Sequence, residues 1–410
     1  MNILAVNCGS SSLKYRLIEM PAARELAGGE AERVGPRTAE PARILHRVGG
    51  REEARQVEMP DHGAAFDQVM SLLARDAALT PEAVGHRLVH GGRLFRENVI
   101  LDAPSFANLD KVAPLAPIHN PPAIRLIHAC RERYPELPQA IIFDTAFHST
   151  IPDYARTYAL PEAIRSGMGL RKYGFHGISH QYVVGEAARL LEIPLARFNA
   201  VSCHLGSGGA SLCAVVGGKS VDNTMGYSPL QGLLMSTRCG DLDPGVSMQF
   251  LARAGGDFGA VDKALNSRSG VRGLSGLSAD IRDVVKRRAT GAWEDARLDR
   301  TLQVYLWRIR KYLGAYLTVV GAAHAVLFTD TIGERVPLIR HGVCAGMQAF
   351  GLKLDEARNA DPGPLPVDIA APDSDVRALV IATNEELAIA RATYKLMSCA
   401  LQPAEKEKAR

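Results

Sequence analysis

Residues 198–226 read FNAVSCHLGSGGASLCAVVGGKSVDNTMG. An apolar run ends near His204, a Gly/Ser turn follows, a second apolar run ends at Val216, and Gly217-Gly218 makes another turn. The stretch therefore predicts a strand–turn–strand–turn meander. The first sixty residues carry the same layout. Residues 3–6 (ILAV) form a short apolar run, residues 7–12 (NCGSSS) a hairpin or loop, and ARILHRVGGREEARQVEMP (42–60) two strands about Gly49-Gly50. One architecture used twice is expected, although the halves share too little identity to register as a sequence repeat.

Outside the meanders the signal alternates. HGAAFDQVMSLLARD (62–76) has helical apolar spacing, AVGHRLVHGG (83–92) reads as strand then loop, and PQAIIFDTAFHSTIP (138–152) repeats that grammar. A long amphipathic helix over 298–320 leads to the strand AVLFTD (325–330) and the loop TIGER (331–335). Residues 385–402 are helical and 403–410 read as a frayed, solvated tail. Strand, loop and helix in alternation place the chain in the α/β class. No low-complexity linker separates the halves, so the domain boundary is a tight crossing expected near residue 147.

A length of 410 residues allows two or three domains of about 150 residues each. A net charge of +4 with scattered basic residues argues against a dedicated nucleic-acid protein. No run of eighteen apolar residues and no signal-peptide pattern is present, so no membrane partner and a cytoplasmic location are expected. The seven cysteines, at 8, 130, 203, 213, 239, 344 and 399, form no CxxC pair. They read as small apolar fillers in a reducing compartment, not as disulfides or a zinc site.

The chemistry-bearing residues point to phosphate. Neither GxxxxGK[ST] nor GxGxxG between a strand and a helix occurs. Four loops read as strand ends rich in Gly or small polar residues: 7–12, 204–209, 273–280 and 331–334. Ser10, Ser12 and Lys14 bring hydroxyls and a movable cation to the first of them, which suits a phosphate, though an ordinary hairpin turn fits the stretch equally well. Arg87, His119, Asp144, His176, His204 and Arg238 stand at expected strand ends or in loops. A lone histidine there is more often a hydrogen-bonded structural residue. Two Arg, three His and one Asp together are what phosphoryl transfer requires, because the migrating group spreads charge over three equatorial oxygens.

At these residues the chain resembles the acetate kinase family, within the superfamily of acetate and sugar kinases, Hsp70 and actin. The resemblance rests on VNCGSSSLKY, GHRLVHGG, HNPP, FDTAFH, YGFHGISH, VDNTMGYSPLQGLLMSTRCGDLDP, GLSGLSADIRD and ATNEELAIAR, and covers nearly the whole length. It implies duplicated ribonuclease H-like (actin-like ATPase) domains with a cleft between them. Residues 1–147, completed by a C-terminal helix over 383–410, would form one domain, and 148–382 the nucleotide-binding and dimerisation domain. The implied reaction converts acetate and ATP to acetyl phosphate and ADP, with Mg2+ (or Mn2+) as cofactor and a homodimer as assembly.

By the same resemblance, Asn7 and Glu385 match the metal site, and Ser10, Ser12 and Lys14 line the phosphate path. Arg87 matches the arginine that holds the substrate carboxylate, His176 and Arg238 the transition-state pair, and His119 and His204 further phosphate contacts. Asp144 matches a catalytic aspartate often described as an acid or base. A small carboxylic acid is already ionised at neutral pH, so Asp144 is expected instead to orient Arg87 or a metal-bound water. Val89, Ile118, Phe175 and Pro229 match a small acyl cup, and the valine favours acetate over propionate. His204, Leu205, Gly206, Ser207 and Gly208, then Asp280, Ile281 and Arg282, then Thr331, Ile332, Gly333, Glu334 and Arg335 match nucleotide-contacting segments.

The chain departs from the family on this nucleotide side. HLGSG stands where HLGNG is usual and TDTIGER where TAGIGEN is usual, while Gln231 and Ser236 replace a glutamate and a glycine. Thr331 in place of glycine is expected to be penalised if the backbone there needs positive φ or close approach of a ligand. Asp330 adds a negative charge near a site meant for phosphates. ATP remains the expected donor, with pyrophosphate as the alternative. A propionate or short-chain carboxylate kinase and a non-catalytic nucleotide switch are the other readings.

Overall fold

A computed structural model of the chain describes residues 1–36, 38, 40–289 and 296–408. The chain divides into two units, Met1–Phe147 with Asn384–Arg410, and His148–Thr383.

The first unit is built on eight strands: β1 (Asn2–Cys8), β2 (Ser12–Glu19), β3 (Arg24–Glu32), β4 (Arg43–Val48), β5 (Arg51–Gln56), β6 (Ala83–Leu88), β7 (Val99–Ile100) and β8 (Gln139–Phe143). Their order in the sheet is β5-β4-β3-β2-β1-β6-β8-β7. β1 to β5 form an antiparallel meander, whereas β1, β6 and β8 run parallel. The apolar runs land where burial demands them. Residues 3–6 of β1 and all of β8 are buried, as parallel strands covered on both faces require. β5, REEARQ, lies at the edge, where exposed charges discourage pairing with another chain. Helix His62–Leu73 starts at Asp61, whose Oδ1 accepts from Ala64 N at 2.8 Å, and buries Ala65, Phe66, Val69, Leu72 and Leu73. The C-terminal helix Glu385–Lys408 packs on β1, β6 and β8. Gly85 on β6 permits this, because a Cβ there would collide with Thr393 and Ile389 of that helix.

The second unit holds six strands: β9 (Ala200–Leu205), β10 (Ala210–Val216), β11 (Lys219–Asn223), β12 (Ala325–Thr329), β13 (Val367–Asp368) and β14 (Arg377–Val380). The order is β11-β10-β9-β12-β14-β13. β9, β10 and β11 are antiparallel, and β12 and β14 follow in parallel. The run β11-β10-β9-β12-β14 therefore repeats β3-β2-β1-β6-β8 in order and direction. The duplication expected from the two meanders is present. Helices Gly177–Leu190 and Ala296–Val320 both pack on β9.

Three local expectations change. TIGER is not a loop: residues Asp330–Arg335 form a short helix directly after β12, because Asp330 turns the chain at φ +64°. Gly273 follows no strand but lies in helix Gly270–Ser275. The C-terminal helix continues to Lys408 through residues read as a frayed tail, and residues 409–410 lie outside the described residues. No helix among the described residues is long and apolar enough to cross a membrane.

Candidate active site

In the first unit, four residues distant in sequence meet at the C-terminal ends of the parallel strands. Asn7 is near the end of β1, Arg87 near the end of β6, Asp144 directly after β8, and Glu385 opens the C-terminal helix. Arg87 donates to Asp144 through two parallel bonds, Nε to Oδ1 at 3.2 Å and Nη2 to Oδ2 at 2.7 Å. Its Nη1 lies 3.0 Å from Glu385 Oε2 and donates to Asn7 Oδ1 at 3.3 Å. Asn7 Nδ2 donates in turn to Glu385 Oε2 at 3.4 Å. The Asp144 side chain is only 2% exposed. Burial by itself would lower the Arg87 pKa, but the facing carboxylates of Asp144 and Glu385 outweigh it and hold the guanidinium charged.

The neighbouring turn is tight. Gly9 N donates to Ser12 O at 2.9 Å, and Gly9 O is 2.9 Å from His62 Nε2. Ser10 is exposed and Ser12 half-buried, while Lys14 reaches Glu30 at 3.9 Å on the surface. His119 stands at the N-terminal boundary of helix Asn120–Arg133, its side chain making no capping bond. Val89 is half-buried and Ile118 is 65% exposed.

The second unit carries a different kind of cluster, built of imidazoles and hydroxyls. His176 sits at φ +58° at the start of helix Gly177–Leu190. A left-handed backbone costs a non-glycine residue roughly 1–2 kcal/mol, so its retention calls for a reason. The His176 ring lies against that of His204, 4.2 Å between centroids. His176 Nδ1 is 2.9 Å from Ser211 Oγ, and His204 Nδ1 is 2.9 Å from Ser179 Oγ. A Cβ placed on Gly209 would lie 3.3 Å from His176 Nε2 and 3.5 Å from Arg238 Nη1, so both donors face the same glycine backbone. Arg238 has no carboxylate partner among the described residues, and burial lowers its pKa. A half-buried cation without a counter-charge is suited to an anionic ligand.

Asp330 is the second left-handed residue here, and its Oδ2 lies 3.1 Å from His204 Nε2. Burial raises its carboxyl, but the bond and charge of His204 prevail and bring it down to about 2. Gly206 makes room, since a Cβ there would strike the Asp330 carboxylate. Thr331 is not the strained position expected of it. It lies outside the positive-φ residues, and its hydroxyl accepts from Ser207 N at 3.1 Å, pinning the turn after β9. Beneath, fully buried Arg340 donates to the carbonyls of Gly333 and Glu334 at 2.9 and 2.8 Å, and to Asn359 Oδ1 at 2.8 Å. Glu334 Oε1 accepts from Asp330 N and Thr383 N.

Asp280 accepts from Arg282 through both oxygens. Ile281, Leu205 and Ile332 are core residues, 1%, 0% and 2% exposed, so only their backbones are available to a ligand. Ser207 is half-buried, whereas Gly208 and Arg335 are exposed. The Phe175 ring is buried too, while its carbonyl faces His148 Nε2 at 2.9 Å; Pro229 is half-buried. The sequence reading missed His180, Ser179, Ser202, Ser211 and Arg340. Two serines inside otherwise apolar strands, and a second histidine one helical turn after His176, were the available signals.

The Acetokinase family model matches residues 2–391. An acetate kinase of Acetivibrio thermocellus is 43% identical over 97% of this chain and 99% of its own length. An acetate kinase of Methanosarcina barkeri is 41% identical over 97% of each. Among solved structures, Porphyromonas gingivalis acetate kinase superposes with a TM-score of 0.88 at 34% identity, over 97% of this chain and 99% of that one. A propionate kinase from Francisella tularensis gives 0.87 at 34% identity, over 95% and 98%.

Proposed function

This chain belongs to the acetokinase family, and from that premise we propose how its residues divide the work. The reaction is phosphoryl transfer to a carboxyl group, acetate plus ATP giving acetyl phosphate plus ADP. One acetate oxygen bonds the terminal phosphorus as the bond from that phosphorus to the bridging oxygen of ADP breaks. Both reactants are anions, so positioning and charge neutralisation supply most of the rate.

Arg87 takes the acetate carboxylate, and Asp144 orients Arg87. Both Asp144 oxygens are engaged by the guanidinium, and that two-bond grip is the observation that carries the reading. Acetate is ionised at neutral pH, so no proton has to pass to Asp144. By the same resemblance, Val89 and Ile118 in the first unit, and Phe175 and Pro229 in the second, are assigned to the acyl side. Asn7 and Glu385 would hold Mg2+ (or Mn2+). No group of three His, Cys, Asp or Glu suited to a metal occurs among the described residues, but an amide oxygen and a carboxylate oxygen both approach Arg87 Nη1. Two hard-oxygen donors suit Mg2+, which keeps its waters and substrate phosphates as its other ligands. Bound there, the ion would neutralise phosphate charge.

His176 and Arg238 stabilise the equatorial oxygens of the migrating group, and His119 and His204 contact phosphate. Residues 205–208, 280–282 and 331–335 receive the nucleotide, with Ser10, Ser12 and Lys14 along the phosphate path. The same resemblance supports a homodimer and a cytoplasmic enzyme, the former checked by sedimentation. Replacing His176 or Arg238 by Ala is expected to lower kcat by roughly 100- to 1000-fold, as loss of one oxyanion donor does. Near-normal kcat in either variant removes that residue's role.

A second reading of the donor rests on Asp330, whose charge sits on His204 in the proposed phosphate loop. Its negative charge weighs against any phosphate donor seated in that loop, and pyrophosphate stands as the alternative to ATP. Initial rates of acetyl phosphate formation with ATP, GTP and pyrophosphate separate the two.

A further inference from the structure

Behind His176 lies a chain of buried hydrogen bonds. Ser202 on β9 and Ser211 on β10 project from one sheet region, and helix Gly177–Leu190 lays His180 over them, one turn after His176. His180 Nδ1 is 2.8 Å from Ser202 Oγ, His180 Nε2 is 2.9 Å from Ser211 Oγ, and Ser211 Oγ is 2.9 Å from His176 Nδ1. His180, Ser202 and Ser211 are each 0% exposed.

The protons in such a chain can run one way only if every donor is satisfied. Burial, helped by the neighbouring histidines, pushes the His180 pKa well below its ordinary value, so its ring carries one proton. Ser202 Oγ has His180 Nδ1 as its partner among the described residues. A buried hydroxyl donor is seldom left unused. Ser202 therefore donates to His180 Nδ1, His180 donates from Nε2 to Ser211 Oγ, and Ser211 donates to His176 Nδ1. In the opposite direction the Ser202 proton would be stranded in the core.

We propose that Ser202, His180 and Ser211 are positioning residues that fix His176 as the neutral tautomer with its proton on Nε2, the nitrogen facing Gly209 beside Arg238. His176 then presents an N–H to an anion without first having to be protonated. With the chain reversed, a neutral His176 would present a lone pair to the phosphoryl oxygens. The inference rests on the proposed role of His176 at the transferred group, but the tautomer itself is measured without turnover.

The test uses the full chain, labelled with 15N, and the ring signals of His176 assigned by their loss in His176→Gln. The expected spectrum shows Nε2 protonated and Nδ1 as acceptor. Ser211→Ala and Ser202→Ala are expected to mix the two tautomers. The Ser211 change should lower kcat about 10- to 100-fold, short of losing the donor outright, with KM for acetate and ATP within about twofold. Ser211→Thr restores the hydroxyl and with it both readouts. Should Ser211→Ala fold poorly, Ser202→Ala and the parent spectrum decide. A His176 carrying its proton on Nδ1, or on both nitrogens, in the parent protein overturns the proposal, as does a Ser211→Ala enzyme with unchanged kcat. A His176→Gln enzyme of normal kcat would instead remove the catalytic role and leave the tautomer result standing.

Discussion

The two units share one strand order, yet they organise polar groups in opposite ways. In the first, one guanidinium is gripped by full charges: Asp144 through two bonds, Glu385 through a third. In the second, four imidazoles are threaded on serine hydroxyls: His176 and His180 on Ser211, His204 on Ser179 and His148 on Ser220. The charge pair fixes geometry through a strong, two-bond grip between guanidinium and carboxylate. Hydroxyl–imidazole chains fix geometry and proton position together, at little net charge. The same backbone thus supports a guanidinium held by carboxylates in one copy and imidazoles oriented by hydroxyls in the other.

The largest test of this contrast removes a charge from the first unit. Asp144→Ala leaves half-buried Arg87 with Glu385 as its one carboxylate partner beside Asn7 and should cost about 3 kcal/mol in unfolding free energy, with acetate kcat/KM reduced at least about 100-fold. Ser179→Ala, which cuts a neutral link in the second unit, should cost nearer 1 kcal/mol. Equal urea midpoints for the two variants would erase the distinction.

Asp330–His204 is the exception that sharpens it, an ionised carboxylate bonded to an imidazole in the second unit. Because the folded carboxyl is held at about 2, below the ordinary value near 4, its stabilisation is complete above pH 4 and is lost as pH falls towards 2. The parent should therefore lose about 2 kcal/mol of its advantage over Asp330→Ala across that window. A stability gap between the two that stays constant from pH 6 to pH 2.5 would mean that His204 does not hold the charge.

The smallest effect concerns the acyl cup. Val89→Ala should raise propionate kcat/KM relative to acetate about tenfold, the worth of one methylene in a pocket. No change in the ratio would place Val89 outside the substrate's reach.

Much of this was legible in the chain. The apolar runs at 3–6 and 200–203 and the glycine pairs at 49–50 and 217–218 act over a few residues, through burial and backbone freedom, so the meanders and their duplication could be read directly. The motifs around Arg87, Asp144, His176 and Arg238 marked phosphoryl transfer. At Thr331 the backbone needs no positive φ, because the way β12 enters the next helix puts the left-handed turn at Asp330 instead. His180 carries only the weak signal of its spacing from His176, because its partners Ser202 and Ser211 come from two strands that meet it only in the fold.

By itself, then, the sequence determined which segments become strands and helices, that the pattern occurs twice, and which residue types are available for phosphate chemistry. Those are local properties of side chains and turns. Only the tertiary structure decided that residues 7, 87, 144 and 385 share one ion-pair network and that a serine on β10 touches both His176 and His180. Parallel pairing and helix packing bring distant residues within 3 to 4 Å, and that register belongs to the folded sheet rather than to any stretch of chain.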